Sequence, residues 1–167
     1  TGDNILLYAA AGGVGLIACQ WANYLGAKII GVVSTEEKAE LAIAHGCSNI
    51  IMADQDIAEK VLELTAGEGV AAVYDSIGKD TFISSLNSLK PHGVMVTFGN
   101  ASGPVDPFAP SELASRHSLY VTRPILADFI NTREKLLNAS QALFDLVMKK
   151  VIKISINQRY ALRDTAQ

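Results

Sequence analysis

The stretch "NILLYAAAGGVGLIACQWANYLG", residues 4–26, decides the fold. It reads as a continuous β-type run over 4–10, then a glycine turn, then a helix over 14–25. That helix places Val14, Ile17, Ala18, Trp21 and Leu25 on one face and stops at Gly26, a C′ residue. In such a strand–turn–helix unit, backbone N–H groups and a helix N-terminus meet at the carboxyl edge of a sheet. A pyrophosphate can rest there against roughly half a positive charge. Gly12 would let phosphates approach the backbone, Gly15 would let the helix pack closely on the strand, and Gly13 adds freedom. Ala10 stands where the usual fingerprint has its first glycine, which is compatible with a turn of negative φ. The alternative is a bare structural turn or another nucleotide-like ligand.

Outward from this unit the pattern repeats. Strands are expected over 28–34, 49–53, 70–76, 93–99 and 118–124. Helices are expected over 34–46, 56–66, 80–89, 111–116 and 128–150. The second helix carries its own start signal, Ser34 followed by Glu37 as a capping box, and a stop at Gly46. In the long last helix, Ile130, Leu136, Leu137, Leu143, Phe144 and Val147 supply most of the apolar positions. Six strands alternating with helices imply a parallel sheet covered on both faces, because parallel neighbours need crossovers. The expected fold is therefore a doubly wound α/β domain of six parallel strands, a Rossmann fold, over 1–150. Residues 151–167 begin an alternating strand pattern that has no partner in sight. That tail, and a start without methionine, hint at a longer protein.

Composition narrows the function. The 167 residues are 49% hydrophobic and 19% charged, with a formal net charge of -3. Such a balance gives no general attraction for nucleic acid or anionic lipid, so an anion must be gripped locally. The run Lys149, Lys150, Lys153, Arg159, Arg163 is the exception and reads as a solvated face or an inter-domain surface, ahead of an anion site. No apolar stretch approaches the ~20 residues that span a bilayer. Cys19 and Cys47 lack metal or disulfide spacing and read as inert thiols. With no leader visible, the cytoplasm is the default. His45, His92 and His117 are scattered, so no metal set or nucleophile–base pair can be built from them.

The end of the second strand tests which nucleotide would fit. An acid there would bind ribose hydroxyls, but the sequence reads Val33-Ser34-Thr35. Glu36 and Glu37 complement the helix dipole, which leaves Lys38 to meet a 2′-phosphate with Ser34 and Thr35 as hydroxyl donors. NADP is favoured over NAD, although alone Lys38 would read as a solvated helix residue. At the ends of the fourth and fifth strands, Ser76, Ile77, Phe98 and Gly99 are candidate walls of the nucleotide channel, and Asp75 reads as a loop or cap residue.

Taken in order and spacing, "AAAGGVGLIACQWA", "VYDSIGKDT", "FGNASG" and "SLYVTRP" resemble the coenzyme-binding domain of the zeta-crystallin-like NADPH:quinone oxidoreductases. These form the zinc-free branch of the medium-chain dehydrogenase/reductase superfamily. The resemblance covers essentially the whole chain. It implies metal-free hydride transfer from NADPH to a quinone, with Gly13 and Val14 on the pyrophosphate and Ser34 through Lys38 around the 2′-phosphate. It also places Phe98, Gly99 and Pro124 on the nicotinamide side, and makes 151–167 the start of a return to a GroES-like catalytic domain. Ala53 stands where family members often have a tyrosine beside the adenosine phosphate, so NADP preference rests more heavily on Lys38. A homodimer joined through the edge of the sixth strand is a further implication. Two other readings stay open: an enoyl-thioester or alkenal reductase of the same superfamily, and a non-catalytic nucleotide-sensing module.

Overall fold

The computed structural model describes residues 2–156 and 158–165. Six strands form one all-parallel sheet: β1 (Asn4–Tyr8), β2 (Lys28–Val33), β3 (Asn49–Met52), β4 (Val70–Asp75), β5 (Leu89–Thr97) and β6 (Tyr120–Thr122). Their order is β3-β2-β1-β4-β5-β6. The first three strands are laid outward from β1 in one direction and the last three in the other. This is the expected doubly wound plan, with its switch point between β1 and β4. Seven helices connect or follow the strands: α1 (Gly13–Tyr24), α2 (Glu36–Ala44), α3 (Ile57–Leu64), α4 (Phe82–Asn87), α5 (Ser111–Ala114), α6 (Leu126–Phe129) and α7 (Arg133–Met148).

The core lies on both faces of the sheet. Leu6, Ile30, Ile51, Val73 and Met95 meet Val61, Phe82 and Leu86 of α3 and α4 on one side. Leu7, Ile29 and Val33 meet Cys19, Ala39 and Ala42 of α1 and α2 on the other. Burying side chains of this size removes them from water at about 1.5–3 kcal/mol each for the larger aliphatics, which holds the crossovers against the sheet.

Four local expectations are corrected. In α1 the buried residues are Gly15 and Cys19, with Ala18 and Ala22 partly buried beside them, while Val14 is 67% exposed and Leu25 is also exposed. The helix lies so close to the sheet that only small side chains fit between them, and the larger ones are displaced sideways. Second, α2 is capped by Thr35, not Ser34. The Thr35 hydroxyl accepts from the Lys38 N–H, so the third helical residue is Lys38 and no Ser34–Glu37 capping box forms. Third, the expected helix over 128–150 is two helices, broken where Thr132 takes extended backbone and accepts from the Lys135 N–H to start α7. Of its expected apolar face, Leu137 and Phe144 are exposed, and the buried residue is Leu146. Fourth, the described part of 151–167 forms no strand. Ile152 is buried, the Lys153 backbone clasps the Gln20 side chain, and one 3₁₀ turn follows at Leu162–Asp164.

Candidate functional site

A cleft of about 420 Å³ opens at the carboxyl ends of β1 and β2 and reaches the loop after β4, at the switch point. Its wall comes from Tyr8, Ala9, Ala11 and Gly12 of the glycine loop, Val32, Val33, Ser34 and Lys38 at the β2 end, Ala53 and Ile57 beyond β3, and Ile77, Asp80 and Thr81 after β4. The size suits a small ligand, and the lining is mainly apolar with a few polar groups.

The glycine loop turns at Ala9, which takes the left-handed conformation with φ 51°, while Ala10 keeps a negative φ. The Ala9 carbonyl accepts from the Gly12 N–H at 2.8 Å and closes the turn. Gly15 is the position that admits no side chain: a Cβ there would lie 2.3 Å from the Ala9 oxygen and 2.6 Å from the Ala10 oxygen. Gly12 is less demanding, since its Cβ would meet the Ala9 oxygen at 3.1 Å, and a Cβ on Gly13 would point into open space. Helix α1 starts with Gly12 as its N-cap, without a capping side chain and without an acid in its first turn. The other long crossover helices differ: α2 and α3 are capped by Thr35 and Asp56 and carry first-turn acids. The positive end of α1 is thus left uncompensated beside the cleft.

Lys38 extends back to donate from Nζ to the Ser34 Oγ at 2.8 Å, so a cation and a hydroxyl stand together on the cleft wall. Among the described residues no carboxylate pairs with this cation. Thr35 does not line the cleft, because its hydroxyl is engaged in the α2 cap. A hydrogen bond from Thr35 holds the Glu37 carboxyl below the ordinary carboxylate range, with a smaller contribution from its own backbone N–H.

Asp75 is wholly buried at the end of β4 and fully used. Its Oδ1 accepts from the N–H groups of Ile77 and Gly78, and its Oδ2 from the hydroxyls of Thr81 and Ser85. It is a loop residue, one of the two roles the sequence suggested, and it ties the loop after β4 to α4, whose N-cap is Thr81. Tyr8 is 3% exposed. No hydrogen bond of full geometry reaches its hydroxyl, and Ser85 and Ser84 stand close enough to ease its ionisation against the larger effect of burial. Burial pushes the Tyr8 phenol up to about 12, with the Asp75 charge adding to the effect, so Tyr8 is neutral throughout the ordinary pH range.

The expected site residues are distributed as follows. Gly12, Ser34, Lys38 and Ile77 share the cleft. Gly13 and Gly15 begin α1 at its mouth. Ser76 and Gly99 press backbone to backbone, a Cβ on Gly99 falling 2.2 Å from the Ser76 oxygen, and neither lines the cleft. Val14, Phe98 and Pro124 lie apart from it, in an apolar groove of about 350 Å³ between α1 and the sheet face, with Tyr74 and Val96 on its floor. Sequence reasoning missed Tyr8, Ile57, Asp80 and Thr81. It also missed Arg123, whose Nη1 donates to the Gly99 carbonyl at 2.9 Å and to Thr97 and Asn100. The available signal was position: each stands at, or within a few residues of, the carboxyl end of a strand.

A family model described as zinc-binding dehydrogenase matches residues 13–143. The quinone oxidoreductase of Salmonella typhimurium is 52% identical over 165 residues, covering 97% of this chain and 50% of that relative. The 2-haloacrylate reductase of a Burkholderia species is 47% identical over 167 residues, covering 99% and 50%. Among solved structures, Escherichia coli quinone oxidoreductase complexed with NADPH superposes with a TM-score of 0.89 at 48% identity, covering 92% of this chain and 48% of that one. The chain therefore spans about half the length of the relatives it matches. Among the described residues no three His, Cys, Asp or Glu side chains gather to hold the metal that the family description names, and no zinc site is assigned. Its match over most of its length places this chain in the zinc-binding dehydrogenase family, with the quinone oxidoreductases among its relatives.

Proposed function

We propose that this chain is the cofactor-binding part of an NADPH-dependent quinone reductase. The observation that carries the reading is the conjunction at one edge of the sheet: a switch-point cleft, an uncapped helix N-terminus, and a Lys38–Ser34 pair free of carboxylates. In this reading the first-turn N–H groups of α1, from Gly13 to Gly15, hold the pyrophosphate. Lys38 and Ser34 hold the 2′-phosphate, and Ala53, Ile57 and Ile77 enclose the adenosine. Thr35 acts indirectly, by fixing where α2 begins. Ser76, Phe98, Gly99, Val14 and Pro124 shape the nicotinamide side, with Gly99 letting the β4 and β5 loops close on each other.

NADPH, when bound, supplies a hydride to an electrophilic acceptor. The protein's own part is alignment and exclusion of water. Asp75 is spent on four donors, and burial makes the Tyr8 phenol a weaker acid than an ordinary tyrosine, so neither is assigned a proton-transfer role. We assign 1–150 to the NADP-binding domain and 151–167 to a return towards a catalytic domain, although packing on this domain continues to Lys153. A homodimer through β6 is supported by its unpaired edge, where Tyr120 is 60% exposed. A cytoplasmic location belongs to the same reading.

The test is fluorescence titration with NADPH and NADH. Lys38→Ala should weaken NADPH about tenfold, the low end for a charge-assisted contact because Lys38 is exposed, and leave NADH within about twofold. Equal losses for the two cofactors would remove Lys38 from the 2′-phosphate site. A second reading is favoured by the identity to the 2-haloacrylate reductase, which is close to that of the quinone oxidoreductase. Reduction of an activated carbon–carbon double bond would then replace that of a quinone. Assaying the intact protein with a benzoquinone and with a 2-haloacrylate separates the two.

A further inference from the structure

Cys19 and Cys47 are 28 residues apart in sequence, yet their Sγ atoms stand 3.3 Å from each other. Both are free and buried, at 0% and 7% exposure. One comes from the middle of α1 and the other from the connection that follows α2. The space for the pair exists because β2 carries Gly31 beneath it, where a Cβ would lie 2.8 Å from the Cys47 sulfur. The pair also touches the cofactor loop, since the Cys19 thiol donates to the Ala10 carbonyl at 3.7 Å. Two thiols far apart in the sequence are thus neighbours: their sulfurs need to approach by only ~1.2 Å to reach a bonding distance near 2.05 Å.

We propose that Cys19 and Cys47 form a dithiol site that closes into an intramolecular disulfide on reaction with a hydroperoxide. Cys19 is the attacking sulfur. The hydrogen bond it receives from Cys47 holds its thiol below the ordinary range, and the same contact, with burial, pushes Cys47 up. The Cys19 thiolate attacks one peroxide oxygen, the O–O bond breaks, and the departing alkoxide takes a proton to become an alcohol. This leaves Cys19 as a sulfenic acid. The Cys47 sulfur then attacks the Cys19 sulfur, the S–O bond breaks, and water leaves with the Cys47 proton. In sum, two thiols and one hydroperoxide give one disulfide, one alcohol and one water, the sulfurs losing the two electrons that the peroxide gains. Closure ends the Cys19 donation to Ala10 and fastens α1 to the α2–β3 connection. Both sulfurs are buried, so the reaction needs a local opening; Ser48, next to Cys47, is exposed on the connection between α2 and β3.

The experiment treats the native chain with hydrogen peroxide, quenches it, and reads intact mass and disulfide-mapped peptides. The expected product has lost two hydrogens and both free thiols, contains a Cys19–Cys47 linked peptide, and is restored by dithiothreitol. Cys19→Ser and Cys47→Ser, each shown folded by circular dichroism, should not give it. A native chain that only gains oxygen atoms, or that stays unreacted while the same chain in denaturant forms the bridge, overturns the proposal.

Discussion

Replacing Tyr8 by Phe removes one oxygen from a buried place where it has no full partner, and the outcome can be worked out in two steps. At neutral pH, leaving a buried hydroxyl unsatisfied costs about 1–3 kcal/mol. Tyr8 and Phe share shape and apolar contacts, so Tyr8→Phe should stabilise the fold by about 1 kcal/mol, a rise in Tm of roughly 2–4 °C for a chain of this size. The second step is pH-dependent. The folded phenol titrates near 12 against an ordinary value of 10. Above pH 10 the unfolded chain therefore releases the Tyr8 proton before the folded one does, and stability falls as pH rises towards 12. Two pH units amount to about 3 kcal/mol, present in full below pH 10 and lost by pH 12. Phe at position 8 has no such loss, so the advantage of Tyr8→Phe over the parent should grow between pH 10 and 12. Urea unfolding of both chains across pH 7–12 measures it, taking the difference to cancel the other tyrosines and lysines. A variant less stable than the parent at pH 7, or a constant difference across the alkaline range, would refute the unpartnered hydroxyl.

Gly15→Ala should lower stability by about 2 kcal/mol or more and weaken NADPH more than tenfold, because its Cβ meets two loop carbonyls that cannot yield separately. Gly13→Ala, whose Cβ meets nothing within 4 Å, should keep full stability; a loss of NADPH affinity alone, seen by titration, would mark that open space as occupied by the ligand. Asp75→Ala should cost about 3 kcal/mol or more in denaturant unfolding, since four donors lose their acceptor, whereas Asp75→Asn should cost less by keeping an oxygen for two of them.

The elements of the fold were legible because the apolar runs and their stops coincide with physical boundaries. Gly26 and Gly46 do take the left-handed conformation just beyond α1 and α2. The errors came where two residues competed for one role. Ser34 and Thr35 both offer a capping hydroxyl, and the helix begins after the second because Val33 continues the buried strand. In α1, periodicity ranked the large apolar residues as core, but close packing on the sheet rewards small ones, so Gly15 faces inward with Cys19, which the sequence had already placed on the buried face, and Val14 does not. The cleft was legible at its glycine and Lys38 ends, where the chemistry is local. Tyr8 and Asp80 reach it only through the parallel pairing of β1 with β4, and the 3.3 Å thiol pair arises from crossover packing, which no spacing in the sequence encodes.

The loops after β4, β5 and β6 are laced together. Ser102 bonds to the Ile77 carbonyl and to the Asp80 N–H, Lys79 to the Gly103 carbonyl, and Arg123 to Gly99. Such a lattice behaves as a single stiff plate: a displacement at one loop must appear at the other two. Ile77 lies on the cleft wall, and Phe98 and Pro124 lie on the wall of the groove, so the two depressions are built on one shared lattice.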